Sequence, residues 1–185
     1  MKTTYPKVVL ILAVLCLFPF WGYAQQSPAR SPINVNLIID SSSLFADVKT
    51  EIINWVNARL DQVLAQGDRV TVWSAGPSAR VIYSGTINSQ SDRDAVKSSY
   101  RELSGTGSSA DFSGALREAA ELQTSTFSYT LLVSASPQSL SSVLSGPQAN
   151  LLRFSRVEEF PGWRVIVVGL NIDTKVRRAA AAFFN

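Results

Sequence analysis

The sequence predicts an α/β fold in three layers, αβα, with helices on both faces of a mostly parallel central sheet that carries one antiparallel edge strand. Three observations lead there. Short apolar runs at residues 33–39, 69–75, 129–134 and 163–170 alternate with longer stretches whose apolar residues recur at helical spacing. The first run, INVNLII, is nearly all apolar from Val35 onward apart from Asn36, as a strand covered on both faces should be. The runs at 69–75 and 80–84 are joined by little more than Gly76-Pro77-Ser78, too short a connection to reach a parallel neighbour, so this pair is antiparallel.

The elements follow in order. Residues 33–39 form the first strand, which stops on Asp40 and is followed by Ser41-Ser42-Ser43-Leu44. From 45 to 66 the period is helical: Val48, Ile52, Val56, Leu60 and Val63 share one face, widened by Trp55 and Leu64, and Gly67 ends the helix. Then come the strands at 69–75 and 80–84. A second helix is expected at 92–103, followed by the loop SGTGSS, and a third at 112–122 with Ser109 or Asp111 as its cap. Strands at 129–134 and 163–170 flank a stretch, 137–154, that holds one or two short helices broken at Ser145-Gly146-Pro147. Residues 173–184 close the chain as a helix capped by Asp173.

Residues 1–24 read as an export signal. Lys2 and Lys7 give a positive start, residues 8–20 are apolar, and Gly22-Tyr23-Ala24 suits cleavage after Ala24. Retention as an N-terminal anchor is the alternative, although the run is short for a membrane helix. Cys16 follows Leu15, where lipid attachment would call for a small residue. The expected organisation is therefore a signal at 1–24, a flexible leader at 25–32 and one domain at 33–185, in a periplasmic or secreted protein.

Without Lys2 and Lys7, the 17 basic residues fall to 15 against 14 acidic ones. The near-neutral balance and the lack of any long Lys/Arg run argue against nucleic acid as a partner. Loss of the signal also removes the single cysteine, so no disulfide braces the domain. Histidine is absent, which excludes Ser-His-Asp and Cys-His catalysis, and with cysteine gone no zinc site of the usual ligands can form. A metal would need oxygen ligands, as magnesium and calcium do.

The order of these elements, with an acid and serines after the first strand, an early antiparallel hairpin and a Gly/Ser/Thr loop before the third helix, resembles the von Willebrand factor A-type domain. The resemblance covers residues 33–184. It implies an adhesion site for a divalent cation on top of the sheet, built from Asp-x-Ser-x-Ser, a threonine of a second loop and an aspartate of a third. Asp40 and Ser42 match the first two positions, while Leu44 stands at the third unless Ser43 takes its place. Aligning the second loop on Ala115-Leu116 puts Ala110 at the threonine, between Ser109 and Asp111. In the third loop, Ser134-Ala135-Ser136, alanine stands where the second aspartate belongs. The candidate metal ligands that the resemblance implies are Asp40, Ser42, Ser43, Ser109 and Asp111, and the expected cofactor is none, or a weakly held magnesium or calcium ion.

Plainer roles stand beside these. Asp40 and the serines at 41–43 also suit capping of the helix that starts near Phe45, Asp40 as well as it suits a metal and Ser43 better, and Asp111 suits capping of the third helix better than it suits a metal. The Gly105-Thr106-Gly107 loop lacks the lysine of a phosphate-binding loop. Lys49 and Lys97 leave a Ser-Lys pair formally open, and nothing in their spacing supports it. Trp55, Trp73 and Trp163 belong to periodic segments and are expected to pack. Phe154, Phe160 and Trp163 flank an irregular stretch that is either a buried anchor or a partner surface.

The expected function is noncatalytic binding of a protein partner through Asp40, Ser41, Ser42, Leu44, Ser108, Ser109, Asp111, Ser134 and Ser136, with membrane contact only through an uncleaved N-terminal segment. Two alternatives remain: a cation-dependent adhesin or sensor, and a hydrolase on a related α/β scaffold using Asp40 and Asp111.

Overall fold

The structure is a computed structural model and describes residues 30–122, 127–135, 140, 143 and 163–169. The chain divides into two units, Met1–Ser31 and Pro32–Asn185, and all the strands and helices below belong to the second. The expected export signal, most of the expected leader, the expected short helices at 137–154 apart from residues 140 and 143, the irregular stretch with Phe154 and Phe160, and the expected C-terminal helix at 173–184 lie outside the described residues.

Five strands form one sheet: β1 (Asn34–Asp40), β2 (Arg69–Ala75), β3 (Ala79–Thr86), β4 (Ser128–Ser134) and β5 (Trp163–Gly169), in the order β3-β2-β1-β4-β5. All neighbours are parallel except β2 and β3, which pair antiparallel as the short connection requires. Three helices delimited among the described residues flank the sheet: α1 (Phe45–Val63), α2 (Gln90–Arg101) and α3 (Phe112–Glu121). Among the described residues, no helix is long and apolar enough to cross a membrane.

Alternation along the strands sorts the core into two layers. On one face, Val35, Leu37 and Ile39 of β1 and Val70 and Val72 of β2 pack with Val48, Ile52, Val56 and Leu60 of α1 and with Val96 and Tyr100 of α2. On the other, Ile38, Trp73, Ala75, Leu132 and Val165 pack with Phe112, Ala115, Leu116 and Ala119 of α3. Trp73 is fully buried, and its indole Nε1 donates to Glu118 Oε2 at 3.0 Å, so the largest side chain of this layer has its one polar atom satisfied. Trp55 is partly buried against the first layer, with the Arg59 guanidinium over its ring. The polar exception in β1, Asn36, is buried and donates from Nδ2 to Ser128 Oγ and Thr130 Oγ1 of β4.

Several boundaries differ from the expectations. The first helix ends at Val63, not at Gly67, because Leu64 adopts an extended backbone. Asp68 and Arg93 fix that exit: Ala65 N–H donates to Asp68 Oδ2, and Arg93 Nη2 donates to the Leu64 carbonyl. Val63 is exposed, since Leu64 rather than Val63 continues the row 48, 52, 56, 60. The second helix starts two residues early, at Gln90, behind a capping box in which Ser89 accepts from Asp92 N–H and Asp92 accepts from Ser89 N–H. Asp111, and not Ser109, caps the third helix, accepting from Gly114 N–H at 2.8 Å.

The capping role for Asp40 and Ser43 is corrected. No side chain caps α1; its N-cap position is Leu44, and the chain enters the helix through a tight turn in which Phe45 N–H donates to Ser42 O and Ala46 N–H to Ser43 O. Turn carbonyls of Ser42 and Ser43 thus take the helical amides that a side-chain cap would serve, and Asp40 is engaged elsewhere.

Candidate functional site

In an open parallel sheet the loops at the carboxyl ends of the strands form one rim, and central strands put their loops in its middle. Here β1 is the central strand and Asp40 is its last residue, level with Ala75 of β2. Asp40 shares its face of the strand with Asn36 and Ile38, which directs it to the α3 layer and leaves it fully buried.

Both carboxylate oxygens of Asp40 accept hydrogen bonds from the protein. Oδ1 takes the Ser42 N–H at 2.8 Å, closing an Asx turn over Ser41. Oδ2 takes the Ala135 N–H at 2.8 Å and the Ser134 hydroxyl at 3.3 Å. A buried carboxylate is tolerated where such donors replace water. Asp40 therefore bridges the β1 loop to the end of β4.

Backbone bonds join the other loops to the first. Thr106 N–H donates to Ser41 O and Ser43 N–H to Gly107 O, each at 2.8 Å. Asp111 N–H donates to Gly76 O at 2.8 Å, which adds the β2–β3 turn. Two glycines permit these approaches. A Cβ on Gly105 would collide with the Ser42 carbonyl, and Gly107 has φ +74° with Pro77 pressed against it. Below this mesh the hydroxyls of Ser41 and Ser74 share a hydrogen bond of 2.8 Å.

The candidate residues separate into two groups. Asp40, Ser41, Ser42 and Ser134 come together, all buried. Ser43, Leu44, Ser108 and Ser109 are exposed on the rim, Leu44 with 41% of its surface open. Asp111 is half-buried and spends its carboxylate on Gly114 N–H and, at 3.2 Å, on Ala79 N–H; none of its described hydrogen bonds runs to Asp40. Ser136 lies outside the described residues. Ser42 Oγ is buried and has no hydrogen-bond partner. Lys49 donates to the Leu103 carbonyl at 2.8 Å and Lys97 pairs with Asp61, so the two lysines of the Ser-Lys idea both serve as struts between helices and loops. No group of three His, Cys, Asp or Glu side chains gathers among the described residues.

Ser74 was not singled out from the sequence, and Gly76 and Thr106 entered only as members of a turn and a loop, yet Ser74 holds Ser41 from below and the other two carry loop-to-loop bonds. The alternation in RVTVWSA puts Ser74 opposite Trp73 and was a usable signal; the Thr106 bond depends on how two distant loops meet. A small cavity lined by Asn34, Asn36, Arg69, Thr71 and Leu122 lies at the amino ends of the strands, away from the rim.

No protein-family model matches the sequence, and no curated protein does. Solved structures do. A von Willebrand factor type A protein from Catenulispora acidiphila superposes with a TM-score of 0.61 at 19% identity, over 83% of this chain and 37% of that one. The SpRpn10 VWA domain gives 0.56 at 11% identity, over 84% of this chain and 83% of that one. The ArnB paralog VWA2 from Sulfolobus acidocaldarius gives 0.50 at 14% identity, over 78% and 36%. The chain thus spans little more than a third of the length of the first and third of these.

Proposed function

Because the chain has the von Willebrand factor type A fold, we propose that it is an exported, noncatalytic module that binds a protein partner on the rim formed by the loops after β1 and β2 and before α3. One observation carries this reading. Three loops from distant parts of the chain are bonded backbone to backbone into a single surface, and that surface exposes Leu44 among the serines Ser43, Ser108 and Ser109. Preset loops lose little freedom on docking, and an exposed apolar residue on the same rim as several hydroxyls suits a modest protein interface.

The hydrolase alternative draws no support from the geometry, because Asp40 and Asp111 are each bound to backbone N–H groups of different loops. The cation-dependent alternative draws on one observation, the unpartnered hydroxyl of Ser42 next to Asp40 in the turn.

The test is capture from the native envelope by the full chain, compared with Leu44→Glu and Ser108→Arg variants. A partner retained by the wild type and lost by both variants supports the rim. Equal capture by all three rules it out. Fractionation of the producing cells, with N-terminal sequencing of the exported form, tests export and cleavage after Ala24.

A further inference from the structure

Divalent cations such as magnesium and calcium take six or more oxygen ligands. Of the positions that the fold family uses for this purpose, Asp40 and Ser42 carry oxygen, whereas Leu44, Ala110 and Ala135 carry carbon. The one acid is largely taken up by the protein's own donors: Oδ1 holds Ser42 N–H, and Oδ2 holds Ala135 N–H and the Ser134 hydroxyl, which leaves a single lone-pair site, on Oδ1. Asp111, the nearest substitute in the sequence, holds Gly114 and Ala79. Among the described residues the one buried side-chain atom without a partner is Ser42 Oγ, and with that single site on Asp40 it makes a donor set far short of the six oxygens the ion takes.

We infer that Asp40 is a clasp in place of a cation ligand: it fixes the β1 loop to the end of β4 by hydrogen bonds alone, so the rim stands ready for its partner without a divalent ion. The alanine at 135 is part of the device. Its backbone N–H reaches the carboxylate at 2.8 Å, and an acidic side chain there would bring a second negative charge close to a buried one. This deepens the protein-binding reading and rests on it for the chemistry of the partner. The exposed loop residues Ser43, Leu44, Pro77, Ser78, Thr106, Ser108 and Ser109 are all uncharged. A partner would meet hydroxyls and an aliphatic side chain there, and no metal to take up a carboxylate of its own.

The experiment is thermal unfolding of the full chain in chelator and in magnesium, manganese or calcium at about 10 mM, above the ~10⁻⁴–10⁻³ M range of weak extracellular calcium modules. The wild type is expected to melt at the same temperature in all four. A rise of about 5–10 °C, the size that saturation roughly a hundredfold above Kd would give, abolished in Asp40→Asn, overturns the inference. A second arm restores the missing oxygens with Ala110→Thr and Ala135→Asp together. The double variant, checked for folding by circular dichroism, is expected to melt lower than the wild type in chelator and to recover with cation. A folded double variant indifferent to cation overturns the assignment of those two positions. Neither arm needs a partner, so a failed capture leaves the clasp standing, and a cation-dependent melt removes the clasp while leaving the rim as a docking surface.

Discussion

The carboxylate of Asp40 and the backbone N–H of Ala135 are 2.8 Å apart, so the ends of two neighbouring parallel strands are locked by a side chain where the sheet ladder itself has run out. Asp40→Ala strips the partner from three donors, two of them backbone N–H groups in a fully buried setting. Each buried donor left unpaired costs about 1–3 kcal/mol, so a loss of roughly 2–5 kcal/mol is expected. Urea denaturation would measure it, with an unchanged m-value showing that the unfolded state is not the cause.

Gly105→Ala is expected to lower stability by about 1–3 kcal/mol, as overpacking does. The added methyl would collide with the Ser42 carbonyl, a backbone atom that cannot step aside as a side chain can. Amide exchange would show the damage where it arises, with faster exchange at Ser43 and Thr106, whose N–H groups carry the loop-to-loop bonds.

Leu44→Glu separates stability from recognition. Leu44 is exposed at the N-cap position of α1, where a negative charge is favourable by about 0.3–1 kcal/mol. The variant is expected to melt at or slightly above the wild-type temperature and to lose its partner. A variant that keeps the partner places the contact elsewhere.

Alkaline pH should destabilise the fold through Tyr100. Its hydroxyl donates to Asn57 Oδ1 at 2.5 Å inside the first core layer, and burial holds its pKa well above the ordinary tyrosine value. The unfolded chain gives up this proton at about pH 10 while the folded one retains it. Stability is therefore whole below about pH 10 and falls as pH rises from there toward the folded-state pKa. In Tyr100→Phe the alkaline limb of a stability–pH curve should flatten. On the acid side, Asp92 has its pKa lowered by the Asn88 N–H and the Ser89 hydroxyl of the capping box, so its contribution is present above the ordinary carboxylate range and lost as pH falls through the folded value.

Much of the architecture was legible because it depends on local pattern. The row Val48, Ile52, Val56, Leu60 named the buried face of α1, and the short Gly76-Pro77-Ser78 connection named the antiparallel pair. The helix exit at Leu64 was hidden, because it depends on Asp68 and Arg93 reaching in from other segments. So was the role of Asp40. An acid after a strand reads equally well as a cap or a ligand; only the arrival of β4 from nearly a hundred residues away shows that Ala135 N–H and Ser134 Oγ take it. Asp111 was legible as a cap, and its second bond, to Ala79, was not.

Asp68 repeats the device at the far pole of the domain: its carboxylate accepts Ile33 N–H at 3.0 Å and Ala65 N–H at 2.7 Å, pinning the start of β1. The chain therefore joins the domain at the pole opposite Asp40, about 20 Å away along a seven-residue strand. Both ends of β1 are thus clamped by a carboxylate, so the strand could slip past its neighbours only after the Asp68 bonds at one end or the Asp40 bonds at the other had broken.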